Sequence, residues 1–289
     1  MKNKFLLAAG VALTLGACSG GSNDGCTYTP LLGTVGSCDD LVDNGTTTGT
    51  DNGTGATAKL LTGDYTATRI EYDAAADQLI IESLPFDDDV YEGRYDRVPT
   101  FDVTGYQAYR ATKGLDHYIA YYGTSSTGNV SSAVVAQDGY ADHGHAGAGY
   151  ARNGSVTLPS TTQRAFYTGS YVGLRTIDDN GDFLDIITGD ALMEADFSDG
   201  KLRGFITNRA FRNQQSTASV GTSMTLIEGS IDRSEAIVSD GTVGGNVDGT
   251  DVEGTWQALF GGTTGSEVAG VVVITHDDYR ETGSFVAEQ

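Results

Sequence analysis

Basic residues are scarce in this 289-residue chain. Seventeen lysines and arginines face 39 aspartates and glutamates, leaving a formal charge of −22. A surface that acidic repels phosphate backbones and offers no polybasic patch to an anionic bilayer. Nucleic-acid binding and that mode of membrane attachment are therefore excluded. Cysteine occurs three times, never as Cys-x-x-Cys and with no histidine nearby, which leaves thiol redox and zinc chemistry without a ligand set. Past residue 18 no apolar run of helical period appears, which argues against a helical bundle. The serines sit in turn-like Ser-Thr-Gly contexts, and no Gly-x-Ser-x-Gly elbow occurs. With no nucleophile beside an orienting base, the chain is expected to bind without turnover and without a cofactor.

What is abundant points to β-structure. Forty glycines and fifteen tyrosines against four prolines suit short strands joined by tight turns. The length accommodates one large β domain or two small ones.

Residues 1–18 read as a targeting segment. Lys2 and Lys4 precede an apolar stretch from Phe5 to Leu15, too short to span a bilayer, and Leu15-Gly16-Ala17-Cys18 follows. This end resembles the lipobox of bacterial lipoproteins, with Gly16 where alanine or serine is more usual and Ser19 after the cysteine. The resemblance implies diacylglycerol on Cys18, cleavage before it and acylation of the new terminus, an anchor of several chains in the outer membrane. The alternative is an ordinary secretory peptide with an incidental cysteine. Loss of Lys2 and Lys4 leaves 15 basic against 39 acidic residues, or −24. In the oxidising compartment beyond, Cys26 and Cys38 are expected to pair, closing a short loop worth ~3 kcal/mol. Residues 19–59 are read as a tether, because Asp43 to Gly55 has almost nothing to bury.

Residues 60–158 are assigned to a first β subdomain. Tyr65 to Tyr72 and Gln78 to Leu84 form a hairpin around Asp73 to Asp77, Tyr91 to Phe101 is irregular, and Gly105 to Arg110, Leu115 to Tyr122 and Val130 to Gln137 are strands. Gly139 to Gly154 is a glycine-rich ending. Residues 159–289 hold eight strand candidates: Phe166 to Leu174, Leu184 to Phe197, Lys201 to Thr207, Met224 to Ile231, Glu235 to Val247, Val252 to Phe260, Glu267 to Thr275 and Thr282 to Ala287. In the second of these, Phe183, Ile187, Ala191, Met193 and Phe197 alternate with Leu184, Thr188, Asp190, Glu194 and Asp196, a period of two with one wetter face. Trp256, Ala258 and Phe260 share a face, and Gly261 to Gly265 supplies a turn. Asn180-Gly181, Asp199-Gly200 and Asp240-Gly241 read as hairpin turns. The expected fold is all-β, a tether and small β subdomain followed by an eight-stranded antiparallel barrel. A barrel of that size is filled by side chains or holds one small ligand.

Three constellations invite chemistry. Asp178 to Asp182 with Asp185 fails the calcium-loop pattern, which would need glycine at Phe183 and glutamate at Gly189, so an acidic hairpin tip is expected. His143 and His145 would share a face if they lay in one strand and could then hold a divalent metal; an exposed polar loop is the other reading. His117 and His276 stand alone. Tyr95, Tyr106, Tyr109, Tyr118, Tyr121 and Tyr122 suit either a recognition surface or ordinary sheet packing.

Trp256-Gln257-Ala258-Leu259-Phe260-Gly261-Gly262, followed by Glu267-Val268-Ala269-Gly270 and by Gly283-Ser284-Phe285, resembles the end of the β-barrel domain of transferrin-binding protein B, over about residues 161 to 289. The resemblance implies a surface binding protein without catalysis, with a handle-like β region before the barrel. In that family several members serve iron or haem capture. The implied partners are a protein or solute ligand and an outer-membrane receptor or export barrel. Its transferrin-contacting residues have no counterpart here. The competing functions are a lipocalin-like carrier that uses the barrel interior and a structural surface lipoprotein.

Overall fold

The computed structural model describes residues 27–28, 36–37, 48–50, 57–60, 69–82, 93–113, 116–137, 145–160, 163–177, 184–216, 219–247, 250–276 and 279–289. The targeting segment, Cys18, Cys26, Cys38, His143 and the acidic tip at 178–182 lie outside them. The described residues are all-β apart from one 3-10 turn at Pro99–Phe101.

The first sheet contains β1 (Thr57–Leu60), β2 (Arg69–Asp73), β3 (Gln78–Glu82), β4 (Gly93–Arg97), β5 (Tyr106–Lys113), β6 (Asp116–Thr124), β7 (Val130–Gln137) and β8 (His145–Arg152). Its order is β1-β8-β7-β6-β5-β4-β3-β2, antiparallel and nearly closed, with Thr48–Thr50 paired outside β1. Three stretches depart from expectation. Thr48–Thr50 and β1 fall in the segment read as coil, β4 in the stretch read as irregular, and β8 in the glycine-rich ending.

The reason for the last is packing. Every residue of β7 and β8 is buried, because one face of this hairpin lines the sheet's own interior and the other lies against the second sheet. A strand covered on both sides at close range needs small side chains. Ala146, Gly147, Ala148 and Gly149 therefore read as a loop in composition while serving as a strand.

The second sheet is the closed barrel: β9 (Arg164–Ile177), β10 (Leu184–Asp196), β11 (Lys201–Asn213), β12 (Met224–Asp232), β13 (Ile237–Gly244), β14 (Glu253–Gly261), β15 (Glu267–Thr275) and β16 (Tyr279–Glu288). All eight expected strands are present. Closure comes from β16 pairing with β9, from Thr168 opposite Glu288 to Ile177 opposite Tyr279. β15 is buried along nearly its whole length, and, as expected of the Gly261 to Gly265 turn, Gly262 and Gly265 turn the chain at positive φ.

Asp240-Gly241 is a correction. It is no hairpin turn but the middle of β13, with Gly241 opposite Trp256. The indole lies across the glycine, and a Cβ there would sit 2.2 Å from Cε2, so this glycine serves packing. The turn between β12 and β13 comes earlier, where Asp232 accepts from the Ser234 and Glu235 amides at 2.8 and 3.2 Å and Ala236 takes a φ of 54°.

The barrel wall and the first sheet share an apolar seam, where Val134, Ala136, Ala148 and Tyr150 meet Leu259, Ala269, Val271 and Val286. Polar groups fix its register. Tyr150 Oη donates to Gln257 Oε1 at 3.1 Å, Arg152 Nη1 donates to the Glu235 carbonyl at 2.6 Å, and Ser132 Oγ donates to the Phe285 carbonyl at 3.2 Å. Glu267 accepts from Thr127 Oγ1 at 2.6 Å and Asn129 Nδ2 at 2.9 Å, tying the turn before β7 to the barrel.

The Trp256–Gly241 contact yields the first prediction. Gly241→Ala should cost about 1–3 kcal/mol in urea unfolding, as overpacking of a filled core does, and should alter tryptophan fluorescence in the native state. A variant with wild-type stability and spectrum would contradict the packing described.

Candidate binding surface

The barrel interior is full. Tyr167, Tyr171, Phe197, Trp256, Phe260 and Phe285 are buried in a single cluster that also takes Met193, Met224 and the inward residues of β10. This packing of large side chains favours a surface site over carriage of a small molecule inside, as in a lipocalin. The Asp185 carboxylate, considered for calcium, is buried and accepts from the Gln215 amide at 2.6 Å and the Ser216 amide at 3.1 Å.

One end of the interior is polar. Glu281 sits between two arginines: Arg209 Nη2 contacts both carboxylate oxygens at 2.6 Å, and Arg175 Nη2 reaches Oε2 at 3.0 Å. Tyr171 Oη donates to Oε1 at 2.7 Å. The spare guanidinium N–H groups go to the Ser219 and Val220 carbonyls at 2.7 and 2.6 Å, and Arg175 lies 3.9 Å over the Tyr279 ring. Burial by itself would push the Glu281 carboxyl up, but Arg209, Arg175 and the Tyr171 hydroxyl outweigh it and hold it below the usual carboxylate range. Gly173 and Gly283 leave space for Tyr171, whose hydroxyl would lie 2.2 Å from a Cβ at position 283. The three charged groups bind one another and neighbouring carbonyls, with only Arg209 Nε left without a partner among the described residues, so the knot is read as structural.

Recognition is therefore left to outer surfaces. On β10 the outward residues begin with Leu184 and Ile186, covered by the first sheet, and continue with Thr188, Asp190, Leu192, Glu194 and Asp196. The wetter face was expected, but Leu192 stands in it. Leu192 is 40% exposed and directly opposite Phe205 of β11, which is 49% exposed. Phe166 on β9 (65%) lies two residues from Thr168, the partner of Leu192, and Ile227 on β12 (45%) lies two residues from Thr225, the partner of Phe205. Four adjacent strands thus carry one diagonal apolar band on the wall away from the first sheet.

Polar groups rim the band and are engaged with one another. Arg203 Nη2 meets Glu194 at 2.9 Å and Arg164 meets Asp196 at 2.7 Å as ion pairs, while Asp190 keeps its charge and accepts from Asn208 Nδ2 at 2.6 Å. An apolar centre inside a polar rim is the anatomy of a protein interface. It stands out on a chain of net charge −22.

No protein-family model matches the sequence, and no curated protein matches it. Among solved structures the chain is similar to intact Ap-TbpB with its N and C lobes, at 10% identity and a TM-score of 0.44 over 84% of this chain and 54% of that one. It is similar to the Tyr-167-Ala, Trp-176-Ala double mutant of transferrin-binding protein B from Haemophilus parasuis Hp5, at 12% identity and a TM-score of 0.45 over 84% of this chain and 52% of that one. The N-lobe of lactoferrin-binding protein B of Moraxella bovis matches at 12% identity and a TM-score of 0.35, over 80% of this chain and 98% of that one. This chain thus spans about half the length of the intact transferrin-binding proteins.

The remaining expected site residues separate. His145 opens β8, buried and opposite Gln137, while its sequence neighbour His143 lies outside the described residues. Among the described residues no group of three or more histidines, cysteines, aspartates or glutamates could hold a metal ion. His276 stacks on Tyr279 with ring centroids 4.6 Å apart. The tyrosine surface is corrected: Tyr95, Tyr106, Tyr109, Tyr118, Tyr121 and Tyr122 are all buried. Tyr72 stacks on Tyr122 at 4.7 Å, and Tyr95 meets Tyr118 edge-on at 6.2 Å, so these rings fill the first sheet and its seam.

Removing the central carboxylate of the knot tests its role. Glu281→Gln leaves two buried guanidinium groups unbalanced and should lose about 3–5 kcal/mol at neutral pH. A carboxylate whose folded pKa is depressed contributes stability above its unfolded pKa and loses it as pH falls through the folded value. The difference between wild type and variant, followed by denaturant melts, should therefore be full at pH 7 and shrink progressively as pH falls below the ordinary carboxylate range toward the depressed folded value. An unchanged difference down to strongly acidic pH would overturn the assignment.

Proposed function

We propose that the protein is a lipid-anchored surface lipoprotein of the bacterial outer membrane that captures a protein partner on its barrel wall, without turnover. The exposed band of Phe166, Leu192, Phe205 and Ile227 is the observation that carries this reading. Aromatic side chains that stand out of a wall bury large area at small desolvation cost when a partner arrives. The filled interior supports the same reading, since its packing favours a surface site over an internal one. The resemblance adds capture related to iron or haem and assistance from a receptor or export barrel.

Anchoring rests on the lipobox-like Leu15-Gly16-Ala17-Cys18. Among the described residues no helix is long and apolar enough to cross a membrane. The proposed Cys26–Cys38 bridge is supported by the two short strands between the cysteines in sequence, which pair with Thr27 opposite Ser37. His143 and His145 remain a proposed metal pair, tested by titrating zinc against His145→Ala.

Two measurements test the reading. Cys18→Ser should abolish incorporation of labelled palmitate and leave an unprocessed precursor; normal labelling would remove the anchor. The chain lacking residues 1–18, immobilised and exposed to host or environmental proteins, should retain a partner that Leu192→Asp/Phe205→Asp loses more than tenfold. Exposed substitutions of this kind should shift stability by only about 0.5 kcal/mol each. Equal retention by the double variant, or no retained protein, would sink the barrel-wall site.

A further inference from the structure

A second opening lies where the first sheet parts from the barrel, with a volume of about 200 Å³. Leu184 and Ile186 form its barrel side, at a point where a register shift between Ile186 and Ile187 bends β10. Ile119 and Tyr118 form the opposite side, and Phe101, on the 3-10 turn and partly exposed, stands beside them. Three polar residues enter this apolar slot: Arg110 from the first sheet, and Asn213 and Gln215 from the end of β11 and the segment after it.

Arg110 is the decisive group. It makes no hydrogen bond or ion pair among the described residues, although Asp96 lies directly across from it on β4. Asp96 instead accepts from Gln78 Nε2 at 2.7 Å. A guanidinium is thus left half-sheltered and without an ion-pair partner in a pocket on a chain of net charge −22. Arg212 adds a second exposed cation on this side. It lies close enough to Tyr121 to act on its phenol, and the Tyr121 hydroxyl bonds the Phe101 carbonyl at 3.2 Å.

We propose that this seam pocket binds a small carboxylate with an apolar ring or branched body, its carboxylate on Arg110 and its body between Ile119 and Ile186. The planar fork of arginine matches a carboxylate in two parallel hydrogen bonds. The Asn213 and Gln215 amides supply further donors at the polar end. A cavity of about 150 Å³ takes a benzene ring, so this one takes a ring together with its acid group. The site deepens the binding-protein reading but does not depend on the apolar band, which lies six residues along β10 from Ile186, roughly 20 Å. Partner capture and carboxylate binding are read by separate assays, so either can fail alone.

Calorimetric titration of the chain lacking residues 1–18 with benzoate tests the site, with benzyl alcohol as the uncharged ring of similar shape. Benzoate should bind saturably at one site, and benzyl alcohol at least tenfold more weakly. Arg110→Gln should weaken benzoate at least tenfold and leave benzyl alcohol as it was. Ile186→Trp fills the slot and should abolish binding of both. Because that residue is buried, the partly exposed Arg110→Gln decides the matter if Ile186→Trp fails to fold. No saturable benzoate binding, equal binding by Arg110→Gln, or benzyl alcohol binding as tightly as benzoate would each overturn the assignment.

Discussion

Everything in this molecule depends on the last strand finding the first. When β16 pairs along β9, the barrel has no free edge, and backbone groups that would otherwise template aggregation are used internally. Closure also fixes the interior. Eight strands enclose just enough space for their own side chains, and here six large aromatics take it. With the inside spent on packing, the wall and the seam are the surfaces left to meet other molecules.

The seam explains why the two sheets act as one body. β7 and β8 belong to the first sheet by hydrogen bonding and to both cores by packing. Their small side chains let two layers approach closely, and the Arg152 and Tyr150 contacts anchor the approach at the barrel's surface. Where the layers diverge, beyond Ile186, the same geometry leaves the space that Arg110 enters.

Much of the barrel was legible from residues alone. Strands such as β15, rich in valine and isoleucine, and β10, with its strict alternation, announce themselves because one periodicity dominates. What escaped was residues whose role is set by a distant neighbour. Gly241 looks like a turn until Trp256 is placed over it, and β8 looks like a loop until both its faces are covered. The buried tyrosines carry the same lesson, since their number says nothing about which way they point. The apolar band was half visible: Phe205 and Leu192 occupy outward positions of alternating strands, but only the register shows that they touch. Arg110 left no trace in sequence, because only the fold places it at the seam opening beside Ile119 and Ile186.

The ladders also differ in length, and that gives the fold a mechanical order. The chain enters the first sheet through Thr48–Thr50, which meets β1 over three residue pairs, and β1 meets β8 over four, whereas β8 and β7 share eight and β16 and β9 share ten. Tension between the front of the chain and the barrel is borne first by the short outer ladders. Those yield before the longer ones, so Thr48–Thr50 and β1 peel away and lengthen the lead while the barrel stays whole.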